Sequence, residues 1–258
     1  MSKRNLIFCG DIHGDFKKLV WTAIDKFKLE NADIVVLGDF GVGFDNKIFA
    51  DYERVANRLE ERGIMIYTIR GNHDDPSWFD GSKDFPRLKF LKDYEIITLG
   101  DDQTILPIGG ANSVDIEYRL KENEKLAKKK RACWWEREDI ERKKIKDIPK
   151  RVDIVISHEC PILFSPIPSR REDCPLDQYS KILDSRNYLS KIAMEVNADY
   201  WFYGHYHSSY SGDFNELRWR CLDIMEFYQA PEKKQSNPQD DILETDESLI
   251  YEKNDSSI

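Results

Sequence analysis

Three times in its first third the chain repeats one pattern: a short unbroken apolar run, a polar cluster with Gly and Asp, then an amphipathic stretch. The runs are residues 6–9, 33–37 and 64–69. They are continuous rather than alternating, so both faces of each strand are buried, as in a parallel sheet covered by helices. Between them, Phe16, Leu19, Val20, Ala23, Ile24 and Phe27 share one helical face, with Asp15 as the N-cap. Phe49, Tyr52, Val55, Ala56 and Leu59 share another, stopped by Gly63. Ligands of such sheets bind beyond the carboxyl ends of the strands. The clusters Gly10-Asp11-Ile12-His13-Gly14, Gly38-Asp39 and Arg70-Gly71-Asn72-His73-Asp74 therefore meet on one rim.

The second half continues the pattern less regularly. Residues 96–99 and 104–106 read as strands closed by Gly109-Gly110. Residues 152–156 form a strand ending in Ser157-His158-Glu159-Cys160-Pro161. A helix is expected over 178–196, and a strand over 200–203 ends in Gly204-His205-Tyr206-His207. A hairpin-like pair lies near Tyr210 and over 217–222. Residues 121–151 carry 13 Lys and Arg against 7 Asp and Glu, with Trp134-Trp135 in their midst. This reads as a helical, solvated insertion over about 115–150 within one domain spanning 1–230. The two Trp residues either anchor it on the core or offer a base-stacking surface beside a basic groove. Residues 231–258 hold 8 acids against 3 bases and read as a disordered tail.

Charge and composition narrow the function. A net charge of −9 argues against a general nucleic-acid coat, though not against a local basic groove. No apolar run approaches the ~20 residues of a membrane span, and the run after the basic start is too short for a secretory signal. The five cysteines are scattered, odd in number and without a C-x-x-C, which predicts reduced thiols and a cytoplasmic protein.

All five histidines, His13, His73, His158, His205 and His207, sit at or just beyond a strand's carboxyl end, joined by Asp11, Asp39 and Asn72. Packing or surface chance would have put some in helices, the basic insertion or the tail. Carboxylate and imidazole together suit a divalent cation of the zinc, manganese or iron kind.

The ordered set Gly-Asp-x-His-Gly, Gly-Asp, Gly-Asn-His-Asp, a His after a strand, and Gly-His-x-His resembles the calcineurin-like metallophosphoesterases, from about Leu6 to His207. That resemblance implies an α/β (α+β) fold, a four-layer αββα sandwich of two facing mixed sheets. It implies a phosphatase or phosphodiesterase in which Asp11, His13 and His207 bind one metal, Asn72, His158 and His205 a second, and Asp39 bridges them. His73 is then the general acid. The cofactors implied are two divalent ions, manganese first, with iron, zinc and nickel as alternatives and magnesium poorer. The physical logic agrees. A shared carboxylate holds two cations roughly 3.5–4 Å apart, and a metal-bridging hydroxide can attack in line. The cations also neutralise charge on the phosphate oxygens.

The chain departs from phosphoprotein phosphatases, whose second motif is usually Gly-Asp-x-Val-Asp-Arg-Gly. Here it is Gly38-Asp39-Phe40-Gly41-Val42-Gly43, which lacks the phosphate-clamping Arg and the Asp that orients the acid. Arg70, Arg119, Arg170 and Arg171 are candidate substitutes for that Arg, and Asp74, Asp75 and Asp45 for that Asp. The run from Gly109 to Asp115, with Arg119 and Trp134-Trp135, resembles a pattern in bacterial and phage members. The expected substrate is a phosphate ester: a nucleotide, a nucleic-acid end or a small phosphorylated metabolite. A Ser/Thr phosphoprotein phosphatase is the alternative, and a non-catalytic scaffold of the same fold the remote one. No membrane association and no partner protein can be read from the sequence.

Overall fold

The computed structural model describes residues 4–44, 47–83, 85–128, 131–164 and 174–233. The first strands are β1 (Asn5–Cys9), β2 (Ala32–Val36), β3 (Met65–Thr68) and β4 (Leu88–Phe90). They run parallel in that order. The last strand, β11 (Phe227–Gln229), pairs antiparallel with β1 and completes a mixed five-stranded sheet.

The second sheet contains β5 (Ile97–Leu99), β6 (Gln103–Ile108), β7 (Arg151–Ser157), β8 (Asn197–Tyr203), β9 (Tyr210–Phe214) and β10 (Leu217–Cys221). Its order is β5-β6-β7-β8-β10-β9, with β6, β7, β8 and β10 parallel and both edges antiparallel.

Side chains alternate across a strand, so each sheet feeds two cores. On β1, Ile7 and Cys9 turn outward to Phe16, Leu19 and Val20 of α1 (Phe16–Trp21) and to Tyr52, Val55 and Leu59 of α2 (Lys47–Glu61). Leu6 and Phe8 turn inward to Ile105, Ile154, Ile156 and Phe202 of the facing sheet. The far side of that sheet, through Val155, Trp201 and Tyr203, packs on Tyr188, Leu189 and Ile192 of α4 (Leu176–Glu195). Three apolar layers between helix, sheet, sheet and helix make the four-layer αββα sandwich. Phe8 and Phe202 stack across its centre at 4.3 Å between centroids. Burying a side chain of that size is worth roughly 1.5–3 kcal/mol.

Local details follow the expected chemistry. Asp15 caps α1 by accepting from the Lys18 amide at 3.3 Å, and α1 runs on as one π-helical stretch, Thr22–Lys26. Gly63, with φ of +64°, closes the turn after α2.

The structure departs from the sequence reading in three places. Strands β4 and β11 escape the sequence because three residues show no periodicity; the sheet edges they pair with define them. Among the described residues the basic insertion is helical only in α3 (Ile116–Ala127) and one short turn, Ile145–Asp147. Past α3 the backbone is held by side chains instead. Asn123 Oδ1 accepts from the Cys133 and Trp134 amides, and Arg70 donates to the carbonyls of Arg137, Glu138 and Asp139. Finally, the tail does not begin free at 231. Pro231 accepts from Gln103, and Lys233 lies 3.0 Å from Asp153. Residues 234–258 lie outside the described residues. Among the described residues no helix is long and apolar enough to cross a membrane.

Candidate metal centre

Five parallel strands deliver the site. The turn after β1 carries Asp11 and His13, that after β2 Asp39, and that after β3 Asn72 and His73. The turn after β7 carries His158, and that after β8 carries His205 and His207. These turns are sharp. His13, Asp39, His205 and His207 all have positive φ, between 45° and 71°. For side chains of this kind that costs on the order of 1–3 kcal/mol each, and such strain concentrates at functional sites. Two glycines allow the close approach. A Cβ on Gly204 would fall 2.3 Å from Asp11 Oδ1, and one on Gly71 2.2 Å from Asp39 Oδ1.

The side chains converge in two groups. Ligand atoms of Asp11, His13, Asp39 and His207 all lie within 4.8 Å of one another. Within that group His13 Nε2 faces His207 Nε2 at 2.9 Å, and His207 Nε2 lies 3.2 Å from Asp11 Oδ2. On the other side, His158 Nε2 lies 3.2 Å from Asn72 Oδ1 and 3.3 Å from Asp39 Oδ1. The His205 ring sits edge-on to His158 at 4.9 Å. Asp39 stands between the groups, with Oδ1 towards His158 and Oδ2 towards His13, 3.7 Å from its Nδ1.

Neighbours fix the orientation of these donors. His158 Nδ1 donates to the Leu37 carbonyl at 2.7 Å, leaving Nε2 for the site. Asn72 Nδ2 donates to Ser113 Oγ at 3.0 Å, and Ser113 in turn donates to Glu138 Oε2 at 2.5 Å, so the amide oxygen of Asn72 faces His158. The Asp11 carboxylate accepts the His205 amide at 3.0 Å, and Asp39 Oδ1 the His73 amide at 2.8 Å.

Burial alone would raise the Asp39 carboxyl. His158, His73 and His13 instead hold it well below the usual range. Burial would lower the His158 imidazole, but Asp39 and Asp11 lift it to about 10. Asp11, Asp39, Asn72 and His158 are buried while His13 and His207 reach solvent, and imidazole, carboxylate and amide oxygen donors converging without thiolate are the chemistry of a divalent cation site, so the residues present fit such ions.

His73 lies at the rim, its Nε2 3.8 Å from Asp39 Oδ2, with Phe44 stacked on its ring at 5.9 Å. Burial, with Arg119 nearby, takes its imidazole down to about 4. Arg119 approaches His73 Nε2 at 2.7 Å, and its Nε donates to Asp115 at 2.6 Å. Arg119, His73, Asn72 and Asp39 line a cavity of about 340 Å³, together with Glu159, Arg186 and Tyr206.

Other candidates lie elsewhere. Arg70 is buried and turned away, its guanidinium spent on Asp93 and four backbone carbonyls. Asp74 does not reach the His73 ring. Its two oxygens accept the amides of Phe40, Gly41, Val42 and Gly71, which ties the second motif to the third. Asp75 caps the short turn Pro76–Phe79. Asp45, Arg170 and Arg171 lie outside the described residues. Trp135 meets Phe44 edge-on at 5.5 Å, so one of the two Trp residues braces the loop behind His73. Sequence reasoning missed Ser113, Glu138 and Glu159. Ser113 and Glu159 lie inside motifs the sequence reading singled out, whereas nothing in the sequence signals Glu138.

The family model for calcineurin-like phosphoesterases matches residues 4–209. No curated protein matches the chain. Among solved structures, phosphopantetheinyl hydrolase from Mycobacterium tuberculosis is 13% identical with a TM-score of 0.46, over 92% of this chain and 99% of that one. TT1561 of Thermus thermophilus is 14% identical with a TM-score of 0.46, over 87% and 91%. GAP50 of Plasmodium, an anchor in the inner membrane complex, is 16% identical with a TM-score of 0.41, over 92% and 76%. The family match spans every strand-end motif that builds the site, and the chain belongs to the calcineurin-like phosphoesterases.

Proposed function

We propose that this metal-dependent phosphoesterase hydrolyses a small phosphate mono- or diester, such as a nucleotide, a nucleic-acid end or a phosphorylated metabolite, at a centre of two divalent cations. Asp11, His13 and His207 would hold one cation, Asn72, His158 and His205 the other, and Asp39 both. The observation that carries this reading is Asp39, whose two oxygens face the two groups separately. When bound, the cations supply an activated water near neutral pH and neutralise phosphate charge.

The chain's own residues do the rest. Asn72 and His158 are pre-aimed by Ser113 and the Leu37 carbonyl, so little reorganisation accompanies binding. Arg119, in the lining of the cavity, offers a planar pair of N–H donors to the phosphate oxygens. It takes the place of the Arg missing from the second motif. His73 hands a proton to the leaving oxygen. A cavity of about 340 Å³ has the scale of a small-molecule site rather than of a protein-docking face. The mixed oxygen and nitrogen donors favour manganese, iron, zinc or nickel over magnesium.

A panel of alkyl and nitrophenyl mono- and diesters, run with manganese, nickel, zinc and magnesium alongside metal analysis, tests the proposal. Two bound ions and hydrolysis of at least one ester class are expected. No bound ion and no turnover with any of the four would overturn it.

A further inference from the structure

We infer that Glu159 is a positioning residue for His205. It accepts the proton of His205 Nε2 and so leaves Nδ1 as the nitrogen that faces the second cation. The inference rests on the two-cation reading of the site.

Glu159 follows His158 at the end of β7 and is wholly buried. A buried carboxylate needs partners for both oxygens. Oε1 is engaged. It accepts the Cys160 amide at 2.8 Å and the hydroxyl of Tyr206, and the Arg186 guanidinium lies 3.9 Å away. Oε2 has no hydrogen-bond partner among the described residues and is closed to solvent. His205 Nε2 lies 3.9 Å from it. Closing that gap by about 1 Å would make it a hydrogen bond.

His205 needs such a partner. Its backbone is fixed by Asp11, which takes its amide at 3.0 Å, but no other group holds its ring nitrogens among the described residues. A neutral imidazole presents one lone pair, and the acceptor on the opposite nitrogen decides which one. Histidines that bind metals are commonly held this way by a carboxylate, and losing the partner typically costs roughly 10–100-fold in metal affinity. Tyr206, next in sequence, clamps Glu159 from the other side. One turn thus carries both the histidine and the group that steadies its carboxylate.

Glu159→Gln tests this with almost no change of shape. Its carbonyl can take over the contacts of Oε1, which puts an N–H donor where Oε2 was. That donor would force His205 Nε2 to accept and move the ring proton to Nδ1. Zinc titration of the metal-free protein should then show one of two sites weakened by roughly 10–100-fold, the other unchanged. In wild-type protein labelled with ¹⁵N-histidine and loaded with zinc, His205 should show a protonated Nε2 and a coordinated Nδ1. Unchanged affinity at both sites in a folded Glu159→Gln protein, or His205 coordinated through Nε2, would overturn the role of Glu159 while leaving the two-cation centre standing. Two empty sites in the wild type would overturn both. If the variant does not fold, the wild-type spectrum alone decides.

Discussion

The guanidinium of Arg119 lies 2.7 Å from Nε2 and 3.0 Å from Nδ1 of His73. A guanidinium only donates, and a protonated imidazole has no lone pair to accept. The contact therefore belongs to neutral His73, in keeping with an imidazole taken down to about 4. If Arg119 binds phosphate as proposed, a phosphate in the cavity would compete with His73 for it and remove one of the groups that depress the imidazole, burial being the larger.

Arg119→Ala should raise the His73 pKa, because it removes a positive neighbour, though burial keeps part of the depression. It should also lower kcat/KM by roughly 10²–10³-fold, the scale of losing one donor to transition-state charge. NMR titration of the His73 ring and steady-state kinetics read the two effects. An unmoved pKa would show that burial alone sets it.

The same depression has a stability consequence in metal-free protein. The His73 folded pKa of about 4 lies below the unfolded value of 6.5, so between them the unfolded chain binds more protons. The stability associated with neutral His73 is present above pH 6.5 and is lost as pH falls through 4. The difference in melting temperature between wild type and His73→Asn should therefore shift against the wild type from pH 7 to pH 4. A difference that stays constant over that range would contradict the depressed pKa.

Asp39→Asn and His73→Ala should fail differently. Asp39 faces both donor groups, so its loss should empty the metal sites and abolish turnover. His73→Ala should keep both metals and lose roughly 10²–10⁴-fold in turnover of an alkyl ester, and much less of a nitrophenyl ester, whose leaving group needs no proton. Metal analysis beside the two rates separates the cases. Equal slowing of both esters would reassign His73 to phosphate positioning.

Truncation should discriminate between the two parts of the acidic tail. Ending the chain after Lys233 should leave activity and Tm nearly unchanged. Ending it after Ala230 removes the Lys233–Asp153 pair and the Gln103–Pro231 bond, together worth about 1 kcal/mol, or roughly 2–4 °C. Thermal melts of both truncations check this. A large loss from the first would mean that residues beyond 233 contribute to stability.

The strand, polar turn and helix pattern was legible locally because an unbroken apolar run reports burial of its own strand. Handed parallel strands then carry every turn to one rim, so the convergence of Asp11, His13, Asp39, Asn72, His158, His205 and His207 could be expected without coordinates. What lies around those residues could not. Arg70 and Arg119 look alike in sequence, yet one is enclosed by backbone carbonyls and the other stands over His73, 46 positions away. Asp74 adjoins His73 but turns inward to four amides, and Glu159 adjoins His158 but turns towards His205. Strands β4 and β11 exist only because a sheet edge was there to receive them. Periodicity reveals which face of an element is buried. The partner of a long polar side chain depends on which distant segment the sandwich brings alongside, and that was decided by the tertiary structure alone.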